Sequence, residues 1–92
     1  MIVRILSEDQ YNFPGAHVDE LNEIDNRLVE VVGRGDRDGF ETLLKSMLRL
    51  VREKGSPVPI EELVESDIVL PRPDTSLEEA SSLFTGEGLI PD

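Results

Sequence analysis

The chain offers little of the chemistry that enzymes use, because it contains one histidine, His17, and no cysteine. Serine-type catalysis needs a hydroxyl, a base and an orienting carboxylate, and His17 is the only imidazole that could serve as the base. His17 follows a Pro-Gly-Ala sequence at the start of a predicted helix, a place typical of a partly exposed residue. We therefore expect no catalytic site. The alternative from the enzyme class is a small hydrolase or transferase that uses His17 and nearby acids.

Acidic residues are too frequent for adjacent pairs to indicate acid-base catalysis. With twenty acids among 92 residues, pairs such as Glu61-Glu62 and Glu78-Glu79 are expected by chance. The Asp36–Gly39 stretch has the composition of a calcium loop. However, alignment of Gly39 with the glycine of a calcium loop puts Arg34 at the first ligand position and Lys45 where the bidentate glutamate must be. The sequence therefore predicts neither a metal nor a cofactor.

Three basic residues, Lys45, Arg49 and Arg52, are spaced by four and three residues in an otherwise acidic sequence. This spacing places them in one stripe along a predicted helix. Two hypotheses remain open for the stripe. In the first, it is neutralised by acids near the start of the preceding helix, namely Asp19, Glu20 and Glu23. In the second, it docks onto an acidic partner helix.

The charge balance limits the classes of partner. Twenty acidic against nine basic side chains give a formal charge of -11, which repels phosphate backbones and anionic lipid head groups. We expect no nucleic-acid partner and no direct membrane insertion. The apolar start, interrupted at Arg4, is too short for a signal peptide, and no apolar run is long enough to span a bilayer. The lack of cysteine and of Asn-x-Ser/Thr triplets predicts a cytoplasmic protein.

Apolar residues at helical spacing predict two helices. The first runs from about His17 to Val32, and the second from about Arg37 to Lys54. Gly33–Asp36 is the expected break, because glycine suits a helix C-terminus and aspartate is a favoured N-cap. A connection this short makes the two helices antiparallel neighbours. The expected core is therefore a helical hairpin.

The flanking segments predict a smaller β part. Ile2–Leu6 and Gln10–Phe13 have the composition of a short β-hairpin. Ile68–Leu70 could add an extended segment to that sheet, while Ile60–Glu65 could form a short turn of helix.

The C-terminal part predicts a third, short helix. Thr75 or Ser76 can open it with a capping box, and the apolar pattern continues through Leu83 and Phe84 to a stop at Gly86. The expected fold class is α+β, with a short N-terminal β-hairpin, an antiparallel helical hairpin core and a short C-terminal helix. We expect one domain over residues 1–92.

Several short strings are spread along nearly the whole chain, and they are Met1–Leu6 with Gln10-Tyr11, Asp19–Asp25, Ser66–Pro71 and Glu87–Pro91. Taken together, these strings resemble the PspA-associated domain, PspAA, of the phage-shock-protein system. They are apolar and acidic strings and contain no catalytic signature. The resemblance therefore transfers a family and a partner class, but no active site.

The resemblance implies a regulatory adaptor that binds a PspA-like coiled-coil protein and has no enzymatic activity. Its location would be cytoplasmic, with recruitment to the inner face of the membrane through that partner. The expected partner-binding residues are Lys45, Arg49 and Arg52 of the basic stripe and the apolar pair Leu89 and Ile90 near the end of the chain. A structural oligomer subunit is a further alternative, and the oligomeric state stays open.

Overall fold

The structure is a computed structural model that describes residues 1–59, 61–62 and 64–81. Its regular elements, in chain order, are β1 (Ile2–Ile5), β2 (Gln10–Asn12), α1 (Val18–Arg34), α2 (Arg37–Lys54), β3 (Ser56–Pro57), β4 (Ile68–Leu70) and α3 (Leu77–Ala80). A single 3-10 turn leads from β2 into α1. The described strands form one sheet of four in the order β3-β2-β1-β4. The predicted α+β class is confirmed.

The helical hairpin is also confirmed, with a shorter connection than expected. Helix α1 continues to Arg34, and only Gly35 and Asp36 separate it from α2. Gly35 has a φ of 70°, in the left-handed region that glycine adopts without strain. The Asp36 carboxylate accepts a hydrogen bond from the Gly39 backbone N–H at 3.0 Å and so caps α2. The turn therefore depends on one glycine and one cap.

The core lies between the helical hairpin and one face of the sheet. The helices bury the apolar stripes predicted for them, and the fully or almost fully buried residues are Leu21, Leu28, Val31, Phe40, Leu44, Met47, Leu48 and Val51. Strands β1 and β4 add Val3, Ile5, Ile68 and Leu70 to the same cluster. Because side chains alternate along a strand, Val69 faces the other side and is exposed.

Strand β4 joins the sheet by parallel pairing with β1, in the register Val3 to Ile68 and Ile5 to Leu70. The carboxylate of Asp67 accepts a hydrogen bond from the Ile2 backbone N–H at 2.6 Å and helps to fix this register. The suggestion that this segment extends the sheet is thus confirmed. Strand β3, which was not predicted, pairs antiparallel with β2.

Two C-terminal expectations have different outcomes. The suggested turn of helix over Ile60–Glu65 is wrong for its described residues, none of which is helical, and the Glu62 N–H donates to the Pro59 carbonyl at 3.0 Å. Pro59 accepts this hydrogen bond through its carbonyl, but it has no backbone N–H with which to donate one. The third helix is confirmed over Leu77–Ala80 with a capping box at Ser76. Its predicted continuation through Leu83, Phe84 and Gly86 lies outside the described residues.

One acidic residue, Asp25, lies among the buried residues of α1 and is only 1% exposed. It occupies the position between Leu21 and Leu28 on the same face of the helix. In the described part of the chain, every buried side-chain nitrogen or oxygen has a hydrogen-bond partner, so the Asp25 carboxylate is not an unsatisfied group. A polar contact is therefore built into the apolar core.

Met47→Asp should unfold the domain or severely destabilise it. Met47 is fully buried in the middle of α2, where a carboxylate loses packing and becomes a buried charge without a prepared partner. The loss of several kcal/mol is large against the roughly 5–15 kcal/mol that stabilises a typical domain. Thermal melts followed by circular dichroism test this. The exposed neighbour Ser46 gives the control, because Ser46→Asp adds the same charge and should melt close to wild type.

Asp25→Ala should lower the free energy of unfolding by about 1–3 kcal/mol, because the hydrogen bond of the buried carboxylate is lost. Asp19→Ala, on the exposed side of the same helix, removes the same charge without opening the core and should cost much less. Urea denaturation of both variants gives the comparison. Equal losses would contradict a structural role for the Asp25 carboxylate.

Candidate functional site

One side of α2 carries four basic residues next to its buried apolar stripe. They are Arg37, Lys45, Arg49 and Arg52. At about 100° per residue, they fall within roughly one third of the helix circumference. We call this surface the basic side of α2. It carries four of the nine basic residues of a chain with a formal charge of -11, so positive charge is concentrated there.

The C-terminal end of the basic side is bound by an acid from the turn between β1 and β2. The Arg52 Nε donates to Glu8 Oε1 at 3.0 Å, and the Arg52 Nη2 donates to the second carboxylate oxygen. These hydrogen bonds raise the pKa of Arg52 above its usual value. Arg52 therefore connects α2 to the β-hairpin and is already engaged within the domain.

The N-terminal end of the basic side is bound by an acid from α3. The Arg37 guanidinium donates to both carboxylate oxygens of Glu78, with one Nη1 to Oε2 distance of 3.3 Å. The hydrogen bonds lower the pKa of Glu78 and raise that of Arg37. Both side chains are more than half exposed, so water and salt weaken the pair. The contact joins residues 41 positions apart in the chain.

The middle of the basic side is open. Arg49 has 77% of its side chain exposed, and its one ion contact among the described residues is 4.0 Å to Glu53, one helical turn away. Within the described residues, Lys45 has no ion pair. Lys45 and Arg49 therefore present two cations, one turn apart, to the solvent.

The hypothesis that acids of α1 neutralise the basic stripe is wrong, because Glu20 and Glu23 have other partners. Glu23 accepts a hydrogen bond from Arg27 at 2.8 Å, within α1. Glu20 lies 2.9 Å from the Nδ1 of His17. Arg52 instead pairs with Glu8, because the basic side of α2 faces the β-hairpin turn and the segment before α3, and not α1. The docking hypothesis stays a prediction.

A groove runs beside the basic side, between α2 and the chain that leads into α3. Its volume is about 380 Å³. The α2 residues that line it are Arg37, Glu41, Leu44 and Lys45, and residues 73–76 form the opposite wall. The wall and α2 are linked by the Arg37 to Glu78 ion pair at the end of the groove.

The remaining candidate residues are placed as follows. His17 precedes α1, where its ring contacts Phe13 at 6.3 Å between ring centroids and its Nδ1 approaches Glu20. Among the described residues, no group of three or more acids and histidines is arranged to hold a metal ion. Leu89 and Ile90 lie outside the described residues.

Sequence reasoning identified Lys45, Arg49 and Arg52 but did not include Arg37. The signal was present, since Arg37 precedes Lys45 by eight residues and lies on the same side of the helix. No comparable signal exists for Glu8 and Glu78. They meet α2 only because the sheet and α3 fold back onto it.

The described elements define a small α+β domain, in which an antiparallel helical hairpin packs on a four-stranded sheet. The chain belongs to the PspAA family: the family model, described as PspA-Associated protein, matches residues 1–92, the whole chain. The resemblance suggested by the sequence is thus confirmed. No curated protein and no solved structure matches the chain. None of the described helices is long and apolar enough to cross a membrane.

The Glu78 carboxyl should titrate below the usual glutamate range in the folded domain, and Arg37→Gln should raise its pKa toward that range, because the hydrogen bond from Arg37 is the largest cause of the lowering. Because the pKa of Glu78 is lowered in the folded state, the pair stabilises the fold at pH values above the usual glutamate pKa. That contribution is lost as the pH falls through the lowered pKa. Carboxyl carbon NMR titrations of wild type and the variant test this. An unchanged Glu78 titration in Arg37→Gln would contradict the assigned cause.

Proposed function

We propose that this domain is a non-enzymatic adaptor that binds a PspA-like coiled-coil protein in a phage-shock-type membrane stress response. The observation that carries the proposal is the match of the whole chain to a family described as PspA-associated. The family description names an association and no reaction. The adaptor works by recognition of a protein surface, so it needs an exposed contact surface instead of a catalytic cluster.

The proposed contact surface is the open middle of the basic side of α2, formed by Lys45 and Arg49. Both cations are exposed, and the neighbouring buried residues hold α2 rigidly beneath them. Most of the remaining surface of a chain with a formal charge of -11 repels an acidic partner, so this side gives the partner an orientation as well as an attraction. Leu89 and Ile90 are proposed as additional apolar contacts.

The proposed location follows from the partner. A cytoplasmic domain that binds a membrane-associated coiled coil reaches the inner face of the membrane without touching lipid itself. The acidic composition supports this arrangement, because anionic head groups repel the domain.

Reversal of the two open cations should weaken binding to the purified PspA protein of the same organism by about tenfold or more, because like charges then face each other across the contact. The variant is Lys45→Glu with Arg49→Glu. The matched control is Arg27→Glu with Arg34→Glu, which changes the net charge equally on α1. Isothermal titration calorimetry at low and moderate salt measures both, and melting curves check that each variant is folded.

The control separates a docking surface from a general charge effect. Equal weakening in the two double variants would reject the proposed surface while leaving PspA as the partner. Absence of any binding between the wild-type domain and PspA would reject the adaptor function itself.

A further inference from the structure

The two ends of the basic side already bind carboxylates, one from the β-hairpin turn and one from α3. Glu8 binds Arg52, and Glu78 binds Arg37. These two contacts show how this side of α2 binds acids within the domain. The exposed arginines donate hydrogen bonds to carboxylates that belong to other elements. The two ends differ, however, in how firmly their acids are held.

Glu8 is the more firmly held of the two acids. Its side chain is 26% exposed, and it lies in the tight turn of a hairpin whose strands pair with the rest of the sheet. Glu78 is 65% exposed and belongs to a helix of four residues, Leu77–Ala80. Among these four residues, only Ala80 is buried and Leu77 is partly buried. An isolated helix of that length has no stability of its own, so Glu78 can be displaced from Arg37 at small cost.

The groove relates Arg37, the residue that binds Glu78, to the open cations Lys45 and Arg49. Arg37 and Lys45 line the same groove, and Arg49 follows one turn beyond Lys45. At 1.5 Å per residue, Arg37 lies about 12 Å from Lys45 and about 18 Å from Arg49 along α2. The three cations follow one another along α2 within about one third of the helix circumference.

From these observations we infer that the docking surface extends from Arg49 through Lys45 to Arg37, and that Glu78 occupies its Arg37 end until a partner carboxylate replaces it. The occupant is an acidic helix that lies along α2, with carboxylates separated by four and by eight residues on one face. The spacing matches because both helices rise by the same distance per residue. This inference rests on the proposed function for the identity of the partner protein, and the acids of the partner are defined by charge complementarity to the three cations.

Glu78 is thus an internal competitor for Arg37, and its removal should change the affinity for the partner in the direction opposite to that expected of a purely structural residue. If Glu78 competes, its removal raises the affinity for the partner. If Glu78 only holds α3 as part of the contact surface, its removal lowers the affinity or leaves it unchanged. The expected gain for Glu78→Gln is about twofold to fivefold, because the loss of one exposed ion pair has an effect of only this order.

The experiment compares Glu78→Gln with Glu41→Gln in the full chain. Glu41 lines the same groove and acts on Arg37 only through its charge, with no ion pair seen among the described residues, so its replacement removes one nearby negative charge without breaking a hydrogen bond to Arg37. Calorimetry with the purified PspA protein of the same organism should show a larger gain for Glu78→Gln than for Glu41→Gln. Carboxyl NMR of the wild-type complex should show the pKa of Glu78 raised from its value in the free domain, because Arg37 has a new partner.

The outcomes distinguish this inference from the proposed function. If PspA binds but Glu78→Gln shows no gain beyond Glu41→Gln, the competition is rejected and the adaptor function stands. If PspA does not bind at all, the adaptor function is rejected, and a synthetic helical peptide with glutamates at the stated spacing becomes the probe. Tighter binding of that peptide to Glu78→Gln than to wild type supports the surface, and equal or absent binding overturns it.

Discussion

Burial of the apolar faces of α1 and α2 against one face of the sheet is the interaction on which the rest of the structure depends. A chain of 92 residues buries a limited area, so few interactions are dispensable. The junction after α2 shows how close the packing is. A side chain at Gly55 would place its Cβ 2.6 Å from the Val51 carbonyl oxygen and 3.1 Å from the Tyr11 Cβ. Only glycine lets the end of α2 approach β2 this closely.

The same packing decides which side of α2 remains available. Its apolar stripe faces the core, and the basic side lies next to that stripe, between the β-hairpin turn and α3. Arg52 and Arg37 meet their acids there because the sheet and the C-terminal segment return to α2 from opposite ends of the helix. The acids at the two ends reduce the free positive charge to Lys45 and Arg49. A stripe that is uniform in the sequence thus becomes two engaged ends and an open middle.

The acidic composition has more than one structural consequence. Many acids lie on solvated faces and act mainly through the net charge, which disfavours nucleic acids and anionic lipids as partners. Others make short-range pairs with neighbours in the chain, such as Glu23 with Arg27. Glu8 and Glu78 act over long sequence distances, and Asp25 is buried. The charge of the sequence alone does not separate these classes, because they differ in environment and not in residue type.

The site was predicted in part. The proposed docking residues Lys45 and Arg49 follow from helical spacing, since an α-helix fixes which residues share a side. The hypothesis that acids of α1 neutralise the stripe was wrong for Arg52, because antiparallel packing indicates which helix ends are near each other but not which sides of the helices face each other. Which sides of the helices face each other depends on how the hairpin is rotated against the sheet. The sheet includes β4, whose partner strand β1 is more than 60 residues earlier in the chain.

The sequence by itself determined the features that rest on local physics: the two long helices, the glycine-aspartate break between them, the capping box of α3 and the absence of cysteine chemistry. Their causes act within a few residues, through backbone conformation, capping and periodic burial. Only the tertiary structure decided the parallel pairing of β4 with β1, the buried position of Asp25 and the acids that bind Arg37 and Arg52. These depend on distant segments that meet, and the free energy that brings them together belongs to the whole core.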